Sequence, residues 1–224
     1  MWFSAEARLL GVVQRAMELM RSGDMPLPQH EDGISRKLDL RMRDANEKLR
    51  AENRHVEHLP TFLSRTQPDA EKEVAEEAES KVPDFQWEYV DLQESIFQKR
   101  YRYYHIECKR LCSPKSRFCR EYVTKGICRF KEAAHSYGKY LPSGAMLGYV
   151  QDMDPKCHLA AINAQVQREG LTKLSLSPEG WRYGGTSRLD HTFARPDVPP
   201  SPFELRHFWV DIRADSGSTP EGDE

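Results

Sequence analysis

The run His105-Ile106-Glu107-Cys108-Lys109 sets an acid and a base two residues apart among apolar neighbours. In a strand, side chains alternate between faces, so Glu107 and Lys109 project together while Ile106 and Cys108 face the other way. Charged side chains in an otherwise apolar strand are costly unless they are paired or do chemistry. The simpler alternative is an ion pair at a sheet edge. An acid on a neighbouring strand shifts the balance, because two carboxylates can share a hard cation. Phe85, Trp87, Tyr89 and Val90 read as that neighbouring strand. In an antiparallel hairpin with Asp84 opposite Glu107, Leu92 faces Lys99 and residues 93–98 form a loop of ordinary length. Asp91 then lies about 23 Å further along the strand. Placing Asp91 opposite Glu107 instead needs a tight turn at Lys99, with no Gly, Asn or Asp to supply a positive φ. Asp84 is therefore the expected partner and Asp91 the reserve.

Pro83-Asp84, a gap of 22 residues, then Glu107-Cys108-Lys109 resembles the PD-(D/E)XK motif of restriction-endonuclease-like nucleases. The surrounding order is a helix, a hairpin carrying the acids, a basic helix and a buried strand. It resembles the αβββαβ-type core of that superfamily over about residues 30–152. The resemblance implies that Asp84 and Glu107 bind Mg²⁺, with Mn²⁺ as a substitute. Lys109 would orient or polarise the attacking water or stabilise the pentacovalent phosphate. The implied activity is metal-dependent hydrolysis of phosphodiester bonds in DNA. Mg²⁺ prefers oxygen ligands, lowers the pKa of bound water and neutralises phosphate charge, and Lys is a compact charge suited to a phosphate oxygen. Members of the superfamily often take a further acid from the preceding helix. Glu31 and Asp32 occupy that position, although the simpler reading of each is a helix-start acid favoured by the dipole.

Charge is segregated along the chain. The net charge is −2, yet between Lys99 and Lys131 eleven Lys or Arg face only Glu107 and Glu121, so this window carries +9 and the remainder −11. Such asymmetry suggests an electropositive face for a polyanion. Arg110, Arg117, Arg120 and Lys125 are the candidates for phosphate contact.

These residues need a scaffold. Phe3 to Arg21 has helical apolar spacing, and Gly23, Pro26 and Pro28 end that helix. A second helix begins near Glu31-Asp32, with Ile34, Leu38, Met42, Ala45 and Leu49 as its stripe. Asp69 to Ser80 is an acidic run, read as an exposed helix or a loose segment. Tyr101 to Leu111 is a strand, and Ser116 to Ala134 an amphipathic helix with Phe118, Tyr122, Ile127 and Phe130 inward and its basic residues outward. Gly126 weakens that helix locally. Ala145 to Val150 is a buried strand, and Pro155 to Arg168 a helix capped by Asp154. Leu174 to Leu176 and Phe203 to Ile212 complete the strands. The expected fold is α/β, with a mixed central sheet flanked by helices and a restriction-endonuclease-like core. The expected division is an N-terminal helix (1–30), a nuclease-like domain (31–212) and a disordered acidic tail (213–224).

Other classes fall away. No apolar run approaches the ~20 residues of a membrane span, and the start lacks the pattern of a secretory signal. A cytoplasmic protein with reduced thiols is expected from its five Cys. Cys119, Cys128 and His135 faintly resemble a three-Cys, one-His zinc finger for single-stranded RNA, but the third Cys is missing. A zinc-dependent RNA-binding module and a non-catalytic nucleic-acid- or protein-binding module are the alternatives. His191 and His207 read as core residues of the C-terminal strands. No separate recognition domain is visible. Specificity is then low or supplied by a protein partner, as in defence systems against phage, and a homo-oligomer stays open.

Overall fold

The computed structural model describes residues 2–22, 27–63, 82–95, 100–113 and 117–213. The acidic run from Asp69 to Ser80, Lys99, Lys115, Ser116 and the tail from 214 onward lie outside them. The elements are α1 (Trp2–Arg21), α2 (Glu31–Arg50), β1 (Thr61–Phe62), β2 (Phe85–Val90) and β3 (Tyr101–Leu111), then α3 (117–131), β4 (Ser143–Val150) and α4 (Pro155–Arg168), then β5 (Ser175–Leu176), β6 (Thr186–Phe193) and β7 (Phe203–Asp211). Among the described residues, seven strands form one mixed sheet in the order β1-β2-β3-β4-β7-β6-β5. β4 is parallel to both β3 and β7, and the other pairs are antiparallel. The chain is thus the expected α/β protein with a mixed sheet between helices.

Strand alternation divides the core into two clusters. Tyr104, Ile106, Cys108, Ala145, Leu147 and Tyr149 pack with α1 and α2. Leu111, Met146, Val150, Leu205 and Trp209 pack with α3 and α4. β4 is buried along its whole length, as a strand parallel to both neighbours and covered on both faces should be. The stripe Ile34, Leu38, Met42, Ala45 and Leu49 of α2 is buried throughout. α1 buries Leu9, Val13, Met17 and Met20 in that same cluster, so the N-terminal helix shares its core with the sheet. α4 begins with Pro155 and is capped by Asp154, which accepts from the Lys156 amide at 2.8 Å. β6 is longer than its apolar pattern suggests, because only Leu189 and Phe193 are apolar in it. It forms by pairing with β7 along its full length.

α3 departs from the regular helix expected over Ser116 to Ala134. Arg117–Tyr122 is α-helical, Val123–Ile127 is a π-helical turn, and Cys128–Lys131 is α-helical again. Gly126 lies where this turn meets the sheet; a Cβ there would stand 2.5 Å from Met146 Cε and 3.6 Å from Lys109 Cγ. Glycine thus permits the close approach of α3 to β3 and β4. Phe118 is only half-buried, with the Arg110 guanidinium 4.6 Å and that of Arg117 5.5 Å from its ring centre. Tyr122, Ile127 and Phe130 are buried as expected.

The loops beside α3 are tied by Arg195, which is fully buried. Its guanidinium donates to the carbonyls of Pro200 (2.9 Å), Phe130 (3.1 Å), Tyr137 (2.7 Å), Gly138 (2.8 Å) and Leu141 (3.3 Å) and stacks 3.5 Å over the Phe203 ring. Backbone carbonyls thus stand in for the carboxylate that a buried cation usually needs. Burial lowers its pKa to about 9. Arg195→Met should destabilise the protein by about 3 kcal/mol or more in urea unfolding, since several buried acceptors lose their donors together. Arg195→Lys should recover only part of this, because an ammonium has fewer donors. A cost under about 1 kcal/mol for the Met variant would show that the network contributes little.

Candidate functional site

The hairpin adopts the register that sets Asp84 against Glu107. Phe85 pairs with Ile106 and Val90 with Tyr101, and the Asp91 amide donates to the Arg100 carbonyl at 2.8 Å. Pro83 has no amide hydrogen, and Asp84 sits one step before β2. Its side chain continues the ladder where the backbone leaves it: the Cys108 amide donates to Asp84 Oδ2 at 2.6 Å. Asp91 is at the far end of β2, where it pairs with Arg102 at 3.0 Å.

Glu107 and Lys109 project together from β3, as alternation requires. The Glu107 side chain is fully buried and that of Lys109 nearly so, at 12% exposure. Lys109 Nζ lies 2.8 Å from Glu31 Oε1, 3.5 Å from Glu107 Oε2 and 3.6 Å from Asp84 Oδ2, and it donates to the Cys108 carbonyl at 2.6 Å. One ammonium therefore gathers three carboxylates from α2, the segment before β2, and β3.

Glu31 is more than a helix-start acid. Besides Lys109 it accepts from the Arg110 amide at 3.1 Å, which ties the start of α2 to β3. Asp32, the next residue, is exposed and turned away. The sequence pattern offered the two equally; only the direction of the first helical turn separates them.

Arg129 is the site residue that sequence reasoning missed. The amphipathic pattern places it outward with the other basic residues of its helix, but Nη1 donates to both Glu107 oxygens at 2.9 Å. The π turn at Val123–Ile127 shifts the phase of the later positions by about 100°, so that Phe130 falls in line with the buried Tyr122 and Arg129, one position earlier, lies beside that face against Glu107. No pattern in the local sequence announces such a turn beyond Gly126.

The four candidates for phosphate contact differ. Arg117, Arg120 and Lys125 are exposed along α3, and Lys125 pairs with Glu121 at 3.0 Å. Arg110 is already engaged, donating from Nη1 to the Gln29 carbonyl at 2.6 Å. The zinc spacing does not assemble: Cys119 Sγ sits 3.6 Å from His158 Nδ1, while His135 lies 3.4 Å from Glu132. His191 and His207 are buried core residues on β6 and β7, and the Tyr122 hydroxyl lies 2.7 Å from His207 Nδ1. Among the described residues no three His, Cys, Asp or Glu side chains are arranged as ligands of one ion. Asp84, Glu107 and Glu31 are an all-oxygen donor set that suits a hard cation, but they converge on the Lys109 ammonium. Among the described residues no helix is long and apolar enough to cross a membrane. No protein-family model, curated protein or solved structure matches the chain.

Burial sets the electrostatics. Desolvation and then the Asp84 charge push the Glu107 pKa up to about 8, against the opposing pull of Lys109 and Arg129. For Lys109, burial acts to lower the pKa, but Asp84, Glu107 and Glu31 outweigh it and raise the value, so the ammonium stays charged. The unfolded value for Glu107 is near 4.5. The folded chain therefore holds a proton there that the unfolded chain releases. The resulting stability is complete below pH 4.5 and is lost as pH rises through about 8. Glu107→Gln should remove that loss. Between about pH 5 and about pH 9 the wild type should fall relative to the variant by on the order of 1 kcal/mol or more in urea unfolding. Parallel pH profiles for the two proteins would contradict the assignment.

Proposed function

We propose that the protein is a metal-dependent nuclease that hydrolyses phosphodiester bonds in DNA. The observation that carries this reading is the convergence of Asp84, Glu107 and Glu31 on Lys109, whose Nζ is within 3.6 Å of all three. The succession α2-β1-β2-β3-α3-β4, with β3 and β4 parallel, supports the likeness to the αβββαβ core of PD-(D/E)XK nucleases. In this reading Asp84 and Glu107 are ligands of Mg²⁺ or Mn²⁺, with Glu31 as a third carboxylate in reach. When bound, the ion supplies a more acidic water and neutralises charge on the phosphate. Lys109, held protonated by its acidic neighbours, acts as a fixed positive charge toward the attacking water or the phosphate and not as a proton acceptor. The exposed cations of α3 are the path for the rest of the strand.

A non-catalytic binding module is the second reading, favoured by the fact that Lys109 and Arg129 already neutralise the carboxylates. Incubation with plasmid, linear and single-stranded DNA and with RNA, in Mg²⁺, Mn²⁺ or EDTA, separates the two. Cleavage in metal and none in EDTA supports the nuclease. Binding without cleavage supports the module.

Asp84→Asn should abolish cleavage, whereas Asp91→Asn, altered at the far end of the hairpin, should leave most of it. Lys109→Ala should keep metal binding in calorimetry and lower single-turnover cleavage by about 10²-fold or more. Normal cleavage by Lys109→Ala would remove the main support of the nuclease reading. Replacing Arg117, Arg120 or Lys125 by Ala should weaken DNA binding and flatten its log–log salt dependence by about one unit per lost contact. An unchanged slope would show that the α3 face is merely solvated.

A further inference from the structure

We propose that Arg129 is a partner-exchanging residue of this site: it holds Glu107 by hydrogen bonds while that side chain is unligated and donates to the scissile phosphate once Glu107 serves as a ligand. This inference rests on the nuclease reading and adds a second phosphate-directed cation to it.

Three observations support it. Arg129 meets Glu107 through Nη1 alone, 2.9 Å from each oxygen. Among the described residues its Nε and Nη2 have no acceptor, so most of the planar fork remains available for a second anion. Its side chain is 29% exposed while that of Glu107 is fully buried. Solvent thus reaches Arg129 but not Glu107. Finally, it belongs to α3, the helix that also carries the exposed Arg117, Arg120 and Lys125.

The charge balance points the same way. At full ionisation, the three acids and Lys109 leave two net negative charges, which one divalent cation cancels. A phosphodiester would then add a negative charge to a neutral, partly buried site, which is unfavourable. With Arg129 included, the metal-loaded site carries one positive charge and accepts the phosphate to neutrality. Lys109 cannot fill this place as freely, since its ammonium is already shared among three carboxylates and a carbonyl.

The test uses the full chain with Arg129→Gln and Arg129→Lys, each first checked by thermal unfolding. Mg²⁺ binding is read by calorimetry, binding of a labelled DNA oligonucleotide is read in Ca²⁺, and cleavage is read in single turnover. The Gln variant should bind Mg²⁺ as tightly as wild type or up to about tenfold tighter, because a competitor for Glu107 has gone. It should bind DNA about tenfold or more weakly and cleave about 10²-fold more slowly. The Lys variant should regain part of the DNA binding, having the charge without the fork. A folded Gln variant that binds DNA and cleaves like wild type overturns the assignment. So does one whose Mg²⁺ affinity falls in step with cleavage, which would make Arg129 a prop for Glu107 only. If the wild type fails to cleave while the Gln variant still loses DNA binding, the nuclease reading falls and Arg129 stands as an anion ligand.

Discussion

Three carboxylates, one of them fully buried, are held within 3.6 Å of a single ammonium. Acids packed this closely repel one another and lose hydration, which raises the Glu107 pKa and makes a neighbouring cation favourable. Lys109 is that cation, and much of the local architecture serves to keep it there. Asp84 is fixed by the Cys108 amide, Glu31 by the Arg110 amide and Glu107 by Arg129. Each acid is therefore anchored by a second donor and does not depend on Lys109 alone.

The sheet and helices serve this cluster in distinct ways. The antiparallel hairpin brings Asp84 beside Glu107, and the parallel crossover from β3 to β4 lays α3 over the face from which Glu107 and Lys109 project. The close approach at Gly126 and the π turn around it bring Arg129 within reach. Arg195 ties the end of α3 to the loop that leads into β4 by donating to carbonyls on both. The other face of the sheet packs against α1 and α2 through a largely apolar set of side chains. Both faces thus carry an apolar core, and the charged cluster lies beside the one covered by α3.

The amino-acid sequence by itself determined the periodic features. The stripe of α2, the alternation along β3, the Asp154-Pro155 start of α4 and the register of the β2–β3 hairpin all come from local rules. Spacing of three and four, spacing of two, cap chemistry and the lack of turn formers at Lys99 need no knowledge of distant partners. Three members of the carboxylate–ammonium cluster, Asp84, Glu107 and Lys109, were legible for that reason. The tertiary structure decided the rest. Glu31 and Asp32 are adjacent acids at one helix start, and only the docking of α2 against β3 selects Glu31. Arg129 is one base among eleven in its window, and only the packing of α3 against β3 sets it on Glu107. β6 exists through its pairing with β7 more than through its own pattern. In each case the deciding energy comes from a partner far away in the chain, which a reading of local spacing does not contain.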